Sequence, residues 1–367
     1  MVTFAACGHT TNRTSRTAEE AGTSAGTSAG TLGIITYISH DPPELCAAFM
    51  SYYIGTQRIK PSDVFVIEVD AIPEDAIRSC YERAKLPAAN IHRPKPNRAH
   101  QWNEGYRIEM FHRFERLLLR RLRYTHVLIV DLDEFVLPSP QYGGQIYDYL
   151  QQSPYAQRGI VAPTSYIVMH APSLGERDAL EWATPGAALL ADRRVWVRNC
   201  GGSKPVLLKH DPVKYTFSTH RVAQLPWYDP FQCLTNPRMA VRDCIDPALL
   251  SVHLKCVDST LFKAAPLALR KAWENDKHQA PYVTRFFNGT YCGKADRWAR
   301  YAVGAECRRG LRADQRPLPA RCSRAFDATA QQRDVWARPG VPEFFRFTKQ
   351  GHIELIPEWV RRGLVVR

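Results

Sequence analysis

Apolar residues along the chain follow two alternating rhythms. LGIITYIS, from Leu32, is a short continuous apolar run of the kind a buried strand needs. It gives way at Pro42 and Pro43 to PELCAAFMSYYIGTQ, where apolar positions recur at helical spacing behind a proline start. The exchange then repeats. DVFVIEVD predicts a second strand, PEDAIRSCYERAKL a second helix and NIHRPKP a short strand and turn, and the long helical pattern NEGYRIEMFHRFERLLLRRLR feeds THVLIVDLDEFVLP. Strands alternating with helices of this length imply βαβ units, hence an α/β fold with a mostly parallel, Rossmann-like sheet flanked by helices. Beyond Pro138, GIVAPTSYIVMH, RRVWVRN, KPVLLKH and LLSVHLKCVD predict more strands, whereas SLGERDALEWATPG and the proline-rich stretch around Trp227 read as loops. LFKAAPLALRKAWENDK and ADRWARYAVGAECRRG read as helices. AGTSAGTSAGT cannot bury enough apolar area to offset its ordering entropy, so residues 1–30 are expected to be a flexible tail. The folded domain is expected over 31–265, with a mainly helical extension over 266–367.

One place breaks the apolar rhythm. VLIV runs into Asp131, Asp133 and Glu134 before apolar residues resume at Phe135. In open α/β sheets, ligands bind outside the carboxyl ends of the strands, which is where Asp131 falls. Two aspartates one residue apart can converge on one small volume if the chain leaves extended geometry, and they then repel unless a cation neutralises them. A hard divalent ion, Mn²⁺ or Mg²⁺, suits such oxygens and in turn holds a diphosphate. The plainer alternative is a strand end with solvated or helix-capping acids. Glu134 reads as a further ligand, as support for the first two, or as the partner of an arginine.

Charge and cysteine usage narrow the picture little. The 49 Lys and Arg outnumber 36 Asp and Glu, a net charge of +13 that attracts anions in general. Arg116, Arg120, Arg121 and Arg123 stand at helical spacing, as on a solvated face, and no nucleic-acid-binding pattern accompanies them. Peripheral contact with an acidic membrane is compatible with that charge, and no apolar run is long enough to span one. The ten cysteines contain no CxxC pair, which argues against a zinc ribbon or a thioredoxin-type centre. Their even number permits disulfides without demanding them. Asn12-Arg-Thr and Asn288-Gly-Thr match the glycosylation sequon.

DLDEFVLP resembles the DxDEF signature of the glycosyltransferase family 2-like and family 92 group. Three further blocks are similar to that group in the same order: LCAAFMSYYIGTQRIKPSDVFVIEVD, SKPVLLKHDPVKYTFSTHRV and VHLKCVDSTLFKA. The resemblance implies a GT-A fold and a metal-dependent transferase, inverting, that moves a hexose such as galactose from a UDP-linked donor to a glycan on protein or lipid. It implies that Asp133 binds Mn²⁺ (or Mg²⁺), that Asp131 binds the metal through water or the donor ribose, and that His253 is a third metal ligand. Lys204 and His220 fall in the block where a cation can neutralise the diphosphate. Strand-end geometry adds Thr36 and Tyr37 toward the nucleotide base and Glu68 and Asp70 toward base or ribose. A general base must reach the acceptor hydroxyl. Glu176, Asp178 and Glu181 are the candidates, with Glu181 beside Trp182 preferred. The protein is expected in the cytoplasm, or in the Golgi and secretory lumen if an upstream anchor precedes this sequence. Two other readings stand beside this one. VLIVDLDE also resembles the Asp-x-Asp strand end of haloacid-dehalogenase phosphatases, although no Asp-Asp pair follows it. A GT-A-like binding protein without turnover is the third.

Overall fold

The computed structural model describes residues 31–38, 41–68, 74–93, 104–170, 176–177, 180, 182, 188–198, 203–209, 212–217, 221–222, 245–257 and 353–365. The tail over 1–30, the stretch around Trp227, the helices expected over 261–277 and 295–310, and the site candidates Asp70, Asp178, Glu181 and His220 lie outside those residues.

The first half follows the predicted alternation. Strand β1 (Leu32–Ile38) leads to helix α1 (Pro43–Met50), which widens into a π-helical turn over Ser51–Thr56. Strand β2 (Val64–Glu68), helix α2 (Glu74–Arg83), strand β3 (Ile91–His92), helix α3 (Glu104–Arg116) and strand β4 (His126–Ile129) follow. Pro42, extended at φ −61° and ψ 140°, puts a proline just before the first turn of α1, where the ring removes no hydrogen bond the helix needs. β1 pairs in parallel with β2 and β4, and β2 with β3.

Alternate residues of these strands feed two separate cores, which is why their sequences read as unbroken apolar runs. Ile34, Val64, Val66 and Leu128 pack with α1 and α2 residues such as Phe49 and Tyr81. Ile35, Phe65, Ile67, Val127 and Ile129 pack with Met110, Phe111, Phe114 and Leu118 from the α3 side. A disulfide joins Cys46 of α1 to Cys80 of α2.

The second half is antiparallel where it meets the first. Strand β5 (Glu134–Pro138), helix α4 (Ile146–Gln152) and strands β6 (Ile160–Met169), β7 (Val195–Arg198) and β8 (Leu207–Lys209) come next. β9 (Tyr215–Phe217), β10 (Arg221–Val222), β11 (Ile245–Cys256), β12 (Ile353–Leu355) and helix α5 (Glu358–Gly363) complete the described elements. The main sheet runs β12-β7-β6-β8-β4-β1-β2-β3, and β11 joins β6 in parallel and β5 antiparallel. The architecture is thus α/β, a mixed sheet flanked by helices and parallel through β3-β2-β1-β4. From the late part of the chain, β12 enters this same sheet by pairing with β7, Ile353 opposite Val197.

The stretch THVLIVDLDEFVLP is not one strand. It is β4 and β5 separated by a tight turn at Asp131 to Asp133, and Glu134 resumes the ladder opposite His253.

Candidate active site

The turn is Asp131-Leu132-Asp133-Glu134, closed by a hydrogen bond from Glu134 N to Asp131 O at 2.9 Å. It sits at the carboxyl end of β4 beside the end of β1, since Val130 N donates to Ile35 O at 3.1 Å. Leu132 turns into the core at 2% exposure and so fixes the turn, while Asp131 and Asp133 stay partly accessible to solvent. Glu134 folds back over the turn instead: its Oε2 accepts a hydrogen bond from Asp131 N at 3.2 Å.

Glu134 is 1% exposed, which only paired charge makes tolerable. Lys204 Nζ lies 2.5 Å from Glu134 Oε1 and 2.6 Å from Asp131 Oδ2, so one ammonium bridges both carboxylates. It arrives from the segment before β8, which is held to β4 by Ile129 N donating to Val206 O at 2.9 Å. His253 stands opposite Glu134 in the β5–β11 register, and its Nε2 lies 3.0 Å from Glu134 Oε1. Burial alone would raise the Glu134 carboxyl, but Lys204 and His253 outweigh it and hold the group well below the usual carboxylate range. Burial likewise opposes the Lys204 charge, and Asp131 and Glu134 together raise its ammonium above the ordinary lysine value.

The second cation on Asp131 comes from α3. Arg107 Nη1 lies 3.4 Å from Asp131 Oδ1, and its guanidinium carbon sits 4.7 Å over the Tyr37 ring and 5.6 Å from that of Phe111. Arg107 is 4% exposed, so stacking and ion pair fix one orientation. Sequence reasoning missed it among the many arginines of that helix. The signal was its place on the apolar stripe formed by Arg107, Met110, Phe111, Phe114 and Leu118, where a charge needs a partner. Tyr52 and Tyr53 were missed as well. β5 pairs only with β11 among the described strands, and its other edge is met by these hydroxyls. Tyr53 Oη receives Val136 N at 3.0 Å and donates to Glu134 O at 3.2 Å, while Tyr52 Oη donates to Val136 O at 2.8 Å.

The remaining candidates divide. Tyr37 is gathered to the site through Arg107, whereas Thr36 is wholly buried and its Oγ1 meets no hydrogen-bonding partner among the described residues. Glu68, at the end of β2, faces Arg93 with Nε 3.0 Å from its Oε2. On the expected acceptor side, Glu176 is buried and accepts Arg194 N at 2.7 Å, and Trp182 packs in the first core.

A Mg²⁺-type ion needs only one or two protein carboxylates when phosphates and water complete its shell. Asp131 and Asp133, partly accessible on one turn, fit that requirement. Among the described residues no group of three or more His, Cys, Asp or Glu is arranged as a full metal cage, in keeping with His253 lying against Glu134.

No family model matches the chain, and no curated protein matches it. Among solved structures, the chain is similar to S. aureus TarS 1-349 at 11% identity and TM-score 0.27, over 86% of this chain and 89% of that one. The mannosyltransferase PcManGT from Pyrobaculum calidifontis in complex with GDP-Man and Mn²⁺ is 13% identical at TM-score 0.29, over 78% and 80%. The mannosyltransferase Ktr4p from S. cerevisiae is 10% identical at TM-score 0.22 and covers 42% of each chain. At these scores the likenesses bear no weight, and the strand order and the acid turn are what the functional reading stands on.

Proposed function

We propose that this protein is a GT-A-type glycosyltransferase that moves a hexose from a nucleotide sugar, UDP-linked, to a glycan acceptor with the help of Mn²⁺ or Mg²⁺. One observation carries the reading: two partly accessible aspartates share a tight turn at the carboxyl end of β4, in the parallel half of the sheet and beside the end of β1. That is where an open α/β sheet receives a nucleotide. The four sequence blocks of the family 2-like and family 92 resemblance take in α1, β2, the acid turn with β5, β8 and part of β11.

In this reading Asp133 would hold the metal directly and Asp131 would act on it through water or on the donor ribose; the metal, when bound, would supply positive charge to the departing nucleoside diphosphate. Glu134 acts by keeping the turn closed through Asp131 N. Tyr37, stacked under Arg107, offers a ring and a hydroxyl at the end of β1 for the nucleotide. Glu68 and Asp70 belong to the donor's base or ribose side, and His220 extends the donor contacts toward the diphosphate. Glu181 is proposed to take the proton of the acceptor hydroxyl. The acid chemistry of a dehalogenase-type phosphatase finds less support here, because Asp131, its nucleophile in that reading, has one oxygen 2.6 Å from Lys204 and the other 3.4 Å from Arg107.

The test is a donor screen that reads nucleotide release with and without Mn²⁺, run on wild type and Asp133→Asn. Wild type is expected to release UDP from a UDP-hexose in a metal-dependent way. Asp133→Asn is expected to lose about two orders of magnitude or more, since each ~1.4 kcal/mol of lost charge stabilisation is tenfold in rate. Full release after exhaustive chelation, or wild-type turnover in the variant, overturns the proposal.

A further inference from the structure

Lys204 is an unusual cation to find in a diphosphate site. Its side chain is 5% exposed, and its Nζ already lies within 2.6 Å of Asp131 Oδ2 and at 2.5 Å from Glu134 Oε1. A lysine that greets phosphates needs its ammonium at the surface of the site with donors to spare. This one is buried against the carboxylates. With Arg107 on the other oxygen of Asp131, the two buried cations match the charges of Asp131 and Glu134 one for one.

That balance has a consequence for order of binding. A divalent ion approaching Asp133 finds the two neighbouring carboxylates, Asp131 and Glu134, largely neutralised, so the metal alone is weakly attracted. A nucleoside diphosphate brings its own negative oxygens and restores the attraction. We infer that Lys204 is a positioning residue that serves as the resident counter-ion of the acid turn, holding Asp131 and Glu134 in place and withholding the turn from metal until a diphosphate arrives. The inference deepens the glycosyltransferase reading and rests on it for the identity of the diphosphate. The counter-ion role itself rests on the ion-pair geometry alone.

The experiment measures Mn²⁺ affinity by calorimetry on the full chain, without nucleotide and with saturating UDP, for wild type, Lys204→Arg and Lys204→Met. Wild type is expected to bind Mn²⁺ weakly alone and at least about tenfold more tightly with UDP. Lys204→Met, which uncovers one carboxylate, is expected to bind Mn²⁺ alone about tenfold more tightly than wild type and to lose most of the UDP effect, a tenfold change corresponding to about 1.4 kcal/mol. Lys204→Arg keeps the charge and is expected to stay near wild type. If Lys204→Met does not fold, the double variant Lys204→Met/Glu134→Gln removes the ammonium with one of the carboxylates it neutralises. It is expected to fold and to return metal-alone affinity to the wild-type range.

Unchanged or weaker metal-alone affinity in folded Lys204→Met overturns the counter-ion role. So does tighter metal-alone binding in the double variant than in wild type. Failure of the transferase reading is separate: wild-type Mn²⁺ binding would then be indifferent to UDP, GDP and CDP, while the metal-alone comparison of wild type with Lys204→Met still decides the role of Lys204.

Discussion

Glu134 and Glu115 are both buried glutamates, at 1% and 0% exposure, yet their surroundings push their carboxyls in opposite directions. Glu134 has Lys204 and His253 within 3.0 Å of one oxygen and the Asp131 amide on the other. Glu115, on α3 in the second core, accepts one hydrogen bond, from Val213 N at 3.1 Å, and its other oxygen meets no hydrogen-bonding partner among the described residues. Burial pushes its carboxyl up to about 8, with the Val213 amide and the nearby Arg116 offsetting only part of the rise. Burial acts with the same sign on both groups. The difference is made by direct contact with a cation: the Lys204 ammonium touches Glu134 and favours its charged form, whereas Glu115 meets only the Val213 amide, with Arg116 too weak a neighbour to offset burial.

The largest effect that sharpens this comparison is removal of the cation. Lys204→Met leaves Glu134 and Asp131 facing each other with Arg107 and His253 as the remaining partners. Breaking a buried ion pair from one side costs about 3–5 kcal/mol, far more than deleting an exposed bridge. Chemical denaturation at neutral pH is the measurement. A loss under about 1 kcal/mol would put Glu134 in the same class as Glu115 and dissolve the contrast.

How far this site could be read beforehand follows from the same chemistry. The strand β4 and its carboxyl-end location were legible because three acids interrupt an apolar run, whereas a departure from extended geometry at Asp131 entered only as the condition for its aspartates to converge. That Glu134 pairs with a base was one of the stated options, but the partner is Lys204 rather than an arginine. No local pattern reveals it, because it comes from a segment 70 positions along the chain that reaches β4 only through antiparallel pairing of β8. Arg107 and Glu115 were hidden differently. Both sit on the buried side of α3 in a helix rich in charge, so composition masks them, and only the 3.6-residue period separates them from solvated neighbours. Helix α4 was missed because its short pattern, IYDYLQQ, follows a glycine pair after β5 and is barely two turns long.

Glu134→Gln is the next test in size. The change keeps shape and removes the charge, leaving Lys204 with Asp131 alone and weakening the hold on the Asp131 amide. The expected loss is about 2–4 kcal/mol, in the range for a buried charge-assisted contact. Because Lys204→Met and Glu134→Gln remove opposite ends of one contact, their double variant should lose less than the sum of the singles. Coupling under about 0.5 kcal/mol, the limit for independent sites, would mean that the two side chains do not act as a pair.

The smallest effect, and the one with the clearest sign, is the pH dependence of stability. Glu115 has its folded value raised to about 8 from an ordinary 4.5, so below 4.5 both folded and unfolded chains hold the proton and its contribution is fully present. Between 4.5 and about 8 the unfolded chain has released the proton and the folded chain has not, so each rise in pH erodes stability. Glu134 runs the other way: its folded value is depressed, so its contribution is present above the unfolded value and is lost as pH falls through the folded one. Wild type is therefore expected to lose stability on both limbs, the acid limb through Glu134 and the alkaline limb through Glu115. Glu115→Gln keeps an oxygen for Val213 N and removes the ionisable group, and it should gain about 1–3 kcal/mol relative to wild type near pH 8 while matching it near pH 4. The acid limb should persist in that variant and flatten in Glu134→Gln. Denaturant midpoints taken across this range for the three proteins give the answer, and an alkaline limb unchanged by Glu115→Gln would show that the buried acid of α3 is charged after all.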